Sequence, residues 1–282
     1  MDLGIGGRSA LVFGGSRGIG RAVANVLAAE GANVAVCARK GWAARRVAAE
    51  AAERGRVKAL GYALEAWDET SAAAQAERIA RDFGAIDILF GIVRHTLRED
   101  GQSNPGAPTW SARLDDGFLR FRALTEALLP GMRRRRWGRV LWMVPWPEAR
   151  NSAEESVRAA TGAAFTAWLR CVAAEVARDG VTLNVLTPPP FWRRAAPAGR
   201  VRPESVPAPG GAGAPLAGAD PEDRDPPLAC EVLSAGEIAA AAAFLLSDCA
   251  RGVCGRTLEL GATMAPSRHP NVPRRRDGTP RQ

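Results

Sequence analysis

The sequence predicts an α/β protein built on one doubly wound parallel sheet with helices on both faces. Two observations carry that reading. Short apolar runs of strand length alternate with stretches whose apolar residues recur at helical spacing. The first run, Ser9–Phe13, passes directly into a glycine-rich turn from Gly14 to Gly20, and apolar residues at helical spacing continue to Glu30. The 282 residues suffice for a substantial core and show no internal repeat or second domain. The expected domain is 1–264, with 265–282 as a flexible tail.

A strand, a glycine turn and a helix in that order put backbone N–H groups and the positive helix end beneath a phosphate. Gly14 permits the tight turn, Gly18 the close approach of a diphosphate, and Gly20 the packing of the helix on the sheet. The spacing in GGSRGIG resembles the Gly-x-x-x-Gly-x-Gly turn of the short-chain dehydrogenase/reductase family, and the resemblance covers about residues 5 to 264. It implies a Rossmann-type fold and a nicotinamide cofactor at Gly14, Ser16, Arg17, Gly18, Ile19 and Gly20.

Asn33–Ala38 is the second strand, ending at Arg39 and Lys40. NAD-binding relatives carry an acid there for the ribose 2′-hydroxyl. Arg39, together with Arg17, suits a 2′-phosphate instead, so NADP(H) is expected. Two solvated arginines are the plainer alternative. Trp42–Arg54 reads as a helix and Val57–Leu64 as the third strand. Glu65 and Ala66 then fall where the family has Asp and an aliphatic residue beside the adenine. Thr70–Phe83 is the next helix, with Asp68 or Thr70 near its N-cap, and Ile86–Val93 the fourth strand.

From here the chain departs from the family pattern. Gly91-Ile92-Val93-Arg94 stands in place of Asn-Asn-Ala-Gly. On the long helix Leu114–Arg134 the position of the active-site Asn is Gly117. After the fifth strand, Arg139–Val144, the catalytic Ser position is Pro145. The Tyr-x-x-x-Lys pair becomes Arg158 and Gly162 on the helix Glu155–Arg178. That loss does not depend on alignment: the one tyrosine is Tyr62, and no lysine follows Lys58.

The family's Tyr transfers the substrate proton, its Lys tunes that Tyr, and its Ser holds the carbonyl oxygen; Pro145 and Gly162 offer no such donors. Arg158 would act as a fixed positive charge rather than a proton donor. Arg94 and His95, after the fourth strand, are further catalytic candidates, and Asp115, Asp116, Glu154 and Glu155 are possible carboxylates. Trp142, Trp146 and Trp192 either shape a site for an aromatic or polycyclic substrate or pack in the core. Two readings result. One is an atypical biosynthetic enzyme performing cyclisation, isomerisation, elimination or imine-type reduction. The other is a catalytically inactive NADP(H)-binding partner protein, with an ordinary ketoreductase behind both. The first is preferred because aromatic residues concentrate at the substrate end of the sheet.

The sixth strand, Val181–Leu186, leads to Pro188–Pro190, and 193–228 is a Pro/Gly-rich lid or insert. Ser234–Ser247 is a helix with Ser234 as N-cap and Glu237 completing a capping box, and Arg256–Leu260 is the last strand. The net charge is +8, with clusters at Arg133–Arg136 and Arg274–Arg276 that read as solvated basic faces, with attraction of an anionic substrate or cofactor as the alternative. No nucleic-acid partner is expected. Five scattered cysteines lack metal spacing, and neither a signal peptide nor a bilayer-spanning run is evident, so a reducing cytoplasm is expected. The resemblance implies a homodimer or homotetramer packed through the helices Leu114–Arg134 and Glu155–Arg178, the latter with a small face at Ala163, Ala164, Ala167 and Cys171.

Overall fold

Five- to seven-residue runs of buried β-branched and small residues make the centre of the molecule a parallel sheet. The computed structural model describes residues 2–64, 69–93, 115–144, 153–188, 192–193 and 233–260. In chain order the elements begin with β1 (Ser9–Phe13), α1 (Gly18–Ala29), β2 (Asn33–Ala38), α2 (Gly41–Gly55) and β3 (Ala59–Ala63). Next come α3 (Glu69–Phe83), β4 (Ile88–Ile92), α4 (Arg120–Arg135), β5 (Gly138–Met143), α5 (Ala153–Val176) and β6 (Val181–Thr187). The short strands β7 (Trp192–Arg193) and β8 (Leu233–Ser234) pair with each other, and α6 (Ala235–Leu245) and β9 (Thr257–Glu259) complete the described residues. Arg202–Glu231 and Gly261–Gln282 lie outside them, and with them most of the expected lid and all of the expected tail.

The sheet order is β3-β2-β1-β4-β5-β6-β9, parallel throughout. Strand order reverses beside β1, which creates a crevice at the C-terminal ends of β1 and β4. Alternate residues face opposite layers. Ala10 and Val12 join the core under α1, α2 and α6, whereas Leu11 and Phe13 join the core under α3, α4 and α5.

Most expected elements are present, with informative differences at their ends. β3 starts two residues later than expected because the Lys58 N–H bonds the Asn33 side chain at 3.0 Å. β4 starts after Asp87, a buried carboxylate that accepts from Arg135 Nε at 2.9 Å and from the Ser9 N–H at 3.3 Å. The long helix expected from Leu114 is a π-helical turn over Asp115–Leu119 followed by α4. The widened turn contains Gly117, the residue expected from the sequence at the family's Asn position. The expected capping box at α6 is formed: Ser234 Oγ accepts from the Glu237 N–H and the Glu237 carboxylate accepts from the Ser234 N–H, which lowers the Glu237 pKa.

The Arg133–Arg136 run is more than a solvated face. Arg133 bonds Glu175 of α5 and also Asp179 just beyond it, each at 2.7 Å, while Arg135 bonds Asp87 and the Ile86 carbonyl. These bonds tie the end of α4 to α5 and to the start of β4. Among the described residues no helix is long and apolar enough to cross a membrane.

Candidate active site

The turn after β1 is held by backbone geometry. The Gly14 N–H donates to the Cys37 carbonyl at 2.9 Å, closing the turn onto β2. Gly14 (φ +81°) and Gly18 (φ +55°) occupy the left-handed region that glycine adopts without strain. At Gly20 a Cβ would collide with the Gly14 oxygen and lie 2.9 Å from Gly15 Cα, so α1 approaches the turn more closely than any side chain permits. Arg17 is the extended N-cap of α1; its side chain makes no cap, and no acidic residue occupies the first helical turn. The first N–H groups and the positive helix end are therefore uncompensated within the element, the condition for binding an anion. Ile19 is 1 % exposed, so its side chain anchors the helix and only its backbone faces the crevice.

Ser16 is half-buried, and Arg17, Arg39 and Lys40 are exposed. β1 and β2 pair with Phe13 opposite Cys37, which puts Arg17 and Arg39 just beyond neighbouring strand ends. Among the described residues Arg17, Arg39 and Lys40 form no ion pair. These features fit a dinucleotide diphosphate on the turn with a further anionic group beside β2. Trp42, in the first turn of α2, is 60 % exposed with Arg46 over its ring, a feature that helical periodicity did not single out. Glu65 and Ala66 lie outside the described residues.

The β4–β5 side is built on side-chain packing instead. Trp142 of β5 is fully buried and belongs to the core, which decides between the two roles open to it in the sequence. Its Nε1 donates to Thr125 Oγ1 at 3.0 Å, and that hydroxyl donates to the Phe121 carbonyl at 2.8 Å. Phe121 and Phe165 meet the indole edge-on at 5.1 and 5.7 Å. In register with it on β4 is Gly91, where a Cβ would collide with the Trp142 ring. The glycine that departs from the family pattern is thus the residue that admits the indole.

Tyr62, the chain's single tyrosine, is 7 % exposed on β3 and donates its hydroxyl to Asp82 Oδ2 at 3.0 Å. Burial, then the bond to Asp82, raise its pKa. Gly162 on α5 backs onto the end of β5, with Val144 Cγ1 3.3 Å from where a Cβ would stand. Arg158 lies in α5, but its side chain is not among the described ones; Arg94, His95, Pro145 and Trp146 lie outside the described residues. Among the described residues no group of His, Cys, Asp and Glu is arranged to hold a metal ion.

Comparison with known proteins agrees with this architecture. Residues 8–195 match the family model described as short chain dehydrogenase. The chain is 29 % identical over 266 residues to the 3-oxoacyl-(acyl-carrier-protein) reductase FabG of Salmonella typhimurium, covering 92 % of this chain and 97 % of that protein. It is 30 % identical over 269 residues to the D-beta-hydroxybutyrate dehydrogenase of Cupriavidus necator, covering 89 % and 95 %. Among solved structures, YwfH, an NADPH dependent reductase involved in bacilysin biosynthesis, superposes with a TM-score of 0.68 at 20 % identity, covering 90 % and 98 %. With the glycine turn at the switch point of a parallel sheet and a family match across two thirds of its length, this chain belongs to the short-chain dehydrogenase family, whose scaffold serves NAD(P)-dependent oxidoreductases.

Proposed function

We propose that this protein is an NADP(H)-binding biosynthetic enzyme whose active site dispenses with the phenol and ammonium used by ordinary members of its family. One observation carries the reading: the only tyrosine, Tyr62 on β3, is committed to Asp82 of α3, at the opposite side of the sheet from β5 and α5. No lysine after Lys58 is available to hold a ribose or tune a hydroxyl. The cofactor, when bound, supplies a hydride donor or acceptor. The chain's own contribution is to bind and orient. Gly14, Gly18 and Gly20 admit the diphosphate, Ser16 and the Ile19 backbone line the turn, and Arg17, Arg39 and Lys40 attract the 2′-phosphate. Glu65 and Ala66 would flank the adenine.

At the substrate end, Arg158 would offer a permanent positive charge to a developing oxyanion or a carboxylate, with Arg94 and His95 as neighbouring polar groups. Such groups suit cyclisation, isomerisation, elimination or reduction of an imine-type natural-product intermediate, small, aromatic or polycyclic, better than reduction of a ketone. The NADPH dependent reductase YwfH, involved in bacilysin biosynthesis, lends support to the cofactor and to a biosynthetic role. The exposed Ala163, Ala164, Ala167 and Cys171 on one side of α5 support a homodimer or homotetramer. The free Cys37, Cys171, Cys249 and Cys254 suit a cytoplasmic setting.

A second reading, an NADP(H)-binding partner without turnover, is favoured by the indole packed into the core beside the old catalytic strand end. Calorimetric titration tests the cofactor: NADPH should bind more tightly than NADH, and Arg39→Asp should reverse that order by weakening NADPH roughly tenfold or more. Equal affinities in the unmodified protein would refute the preference. NADPH oxidation across simple ketones should be absent; turnover at the rate of an ordinary reductase would refute the atypical site. With an imine or cyclisation substrate in hand, Arg158→Ala should slow turnover about a hundredfold without changing NADPH affinity, and an unchanged rate would favour the second reading.

A further inference from the structure

We infer that the N-terminal edge of the sheet, the end opposite the glycine turn, carries a second binding site, for a small phosphate- or diphosphate-bearing molecule. The segments that enter β1, β5 and β6 meet the 3₁₀ turn Asp248–Ala250 there, around a cleft of about 660 Å³. Four arginines line it, Arg8, Arg136, Arg139 and Arg251, against one carboxylate, Asp248. β1 separates Arg8 from Gly14 by roughly 20 Å at about 3.3 Å per residue, so the cleft is distinct from the cofactor turn.

The charges are not neutralised internally. Arg139, 3 % exposed, spends its donors on the carbonyls of Ser247, Gly138 and Gly180 and on Asp248 Oδ1 at 2.9 Å. The same Oδ1 accepts from Trp137 Nε1 at 2.8 Å. The single carboxylate is thus matched by the buried guanidinium. The other three cations remain. Among the described residues Arg8 and Arg251 form no ion pair, and Arg136 makes only a 3.2 Å bond to the Arg178 carbonyl. Arg8 lies over the Trp137 ring at 4.0 Å and Arg139 at 4.4 Å, which holds two like charges on one indole. Burial, and the positive charge of Arg8, lower the Arg139 pKa, while Asp248 opposes them.

The independent sign of a ligand is Thr182. It lines the same cleft, is 4 % exposed, and its Oγ1 is buried with no hydrogen-bond partner among the described residues. Native structures rarely leave such a hydroxyl unpaired. An oxygen-rich anion would accept from it and from the arginine forks together. The backbone is preset for this. Arg136 sits in the left-handed region at φ +52°, and at Gly180 a Cβ would collide with the Arg136 carbonyl, so the two loops that form the rim are packed backbone to backbone.

The test uses the full chain and pyrophosphate, with inorganic phosphate in parallel, titrated by calorimetry at constant ionic strength set with chloride. Saturable one-site binding is expected. Thr182→Val changes no charge and removes an unpaired buried hydroxyl, so it should fold at least as well, yet bind pyrophosphate about tenfold more weakly. Arg251→Ala, on an exposed turn, should weaken it similarly, whereas saturating NADPH, which fills the glycine turn, should leave it unchanged. Undiminished binding in Thr182→Val would reduce the cleft to a diffuse basic surface and overturn the site. Loss of pyrophosphate binding in the presence of NADPH would assign it to the cofactor turn and overturn the site equally, as would the lack of saturable binding. Phosphate bound as tightly as pyrophosphate would restrict the site to a single phosphoryl group.

Discussion

The two halves of the crevice obey different rules. On the β1–β2 side, recognition rests on backbone: two left-handed glycines, a helix start without a capping side chain, and a Gly20 contact that no Cβ can share. On the β4–β5 side, the family's chemistry rests on side chains, and the resemblance read from the sequence sets Gly117, Pro145, Arg158 and Gly162 against those positions as an expectation. A backbone site tolerates almost no exchange, because a substitution there breaks turn and helix together. A side-chain site can be rebuilt with apolar packing while the sheet stays intact, as Trp142 over Gly91 illustrates. Retention of the scaffold therefore says little about retention of the reaction.

The contrast can be broken most severely at Gly20. Gly20→Val places carbon against the Gly14 carbonyl and should abolish measurable NADPH binding, a loss above a hundredfold by calorimetry, along with a lower melting temperature. Wild-type affinity in that variant would show that the turn does not hold the cofactor. The next effect is on the other side. Gly91→Ala should destabilise the protein by about 1–3 kcal/mol in urea unfolding, because the methyl meets the indole. Trp142→Leu in the same chain should recover much of that loss, so the two changes should be strongly non-additive. Additive effects would mean that the indole and the glycine are independent.

The smallest effect sharpens the comparison through pH. Burial raises the Cys37 thiol from its ordinary 9.0 to about 12, against a smaller opposing effect of Arg78. Above about pH 9 the unfolded chain releases this proton while the native state keeps it, so the native state binds more protons and stability falls as pH rises. The decline should run from about pH 9 to about 12, with Tyr62, also raised by burial, adding to it. Urea midpoints of Cys37→Ala should show a shallower alkaline slope than the unmodified protein. Identical slopes would dismiss the buried thiol as a source.

Much of the molecule was readable before any coordinates. The strand, turn and helix of Ser9–Ala29, the Ser234–Glu237 capping box and the restriction of tyrosine to Tyr62 and of lysine to Lys40 and Lys58 are local or compositional facts, which require no knowledge of what lies across the sheet. Helix and strand periods, glycine conformations and caps are satisfied within a few residues, so the order of residues determines them. The π-helical turn at Asp115–Leu119 was hidden because its side chains keep a helical period on either side. What only the tertiary structure decided is non-local. Trp142 became core because Gly91, on a neighbouring strand, leaves space for it. The basic run at the end of α4 became a set of ties because Glu175, Asp179 and Asp87 arrive from other elements. Arg8, Trp137, Arg139, Thr182 and Asp248 are scattered over most of the chain, and parallel strands bring their N-terminal ends to one edge. Sequence spacing carries no trace of that meeting, since each crossover between parallel strands places tens of residues between neighbours in space.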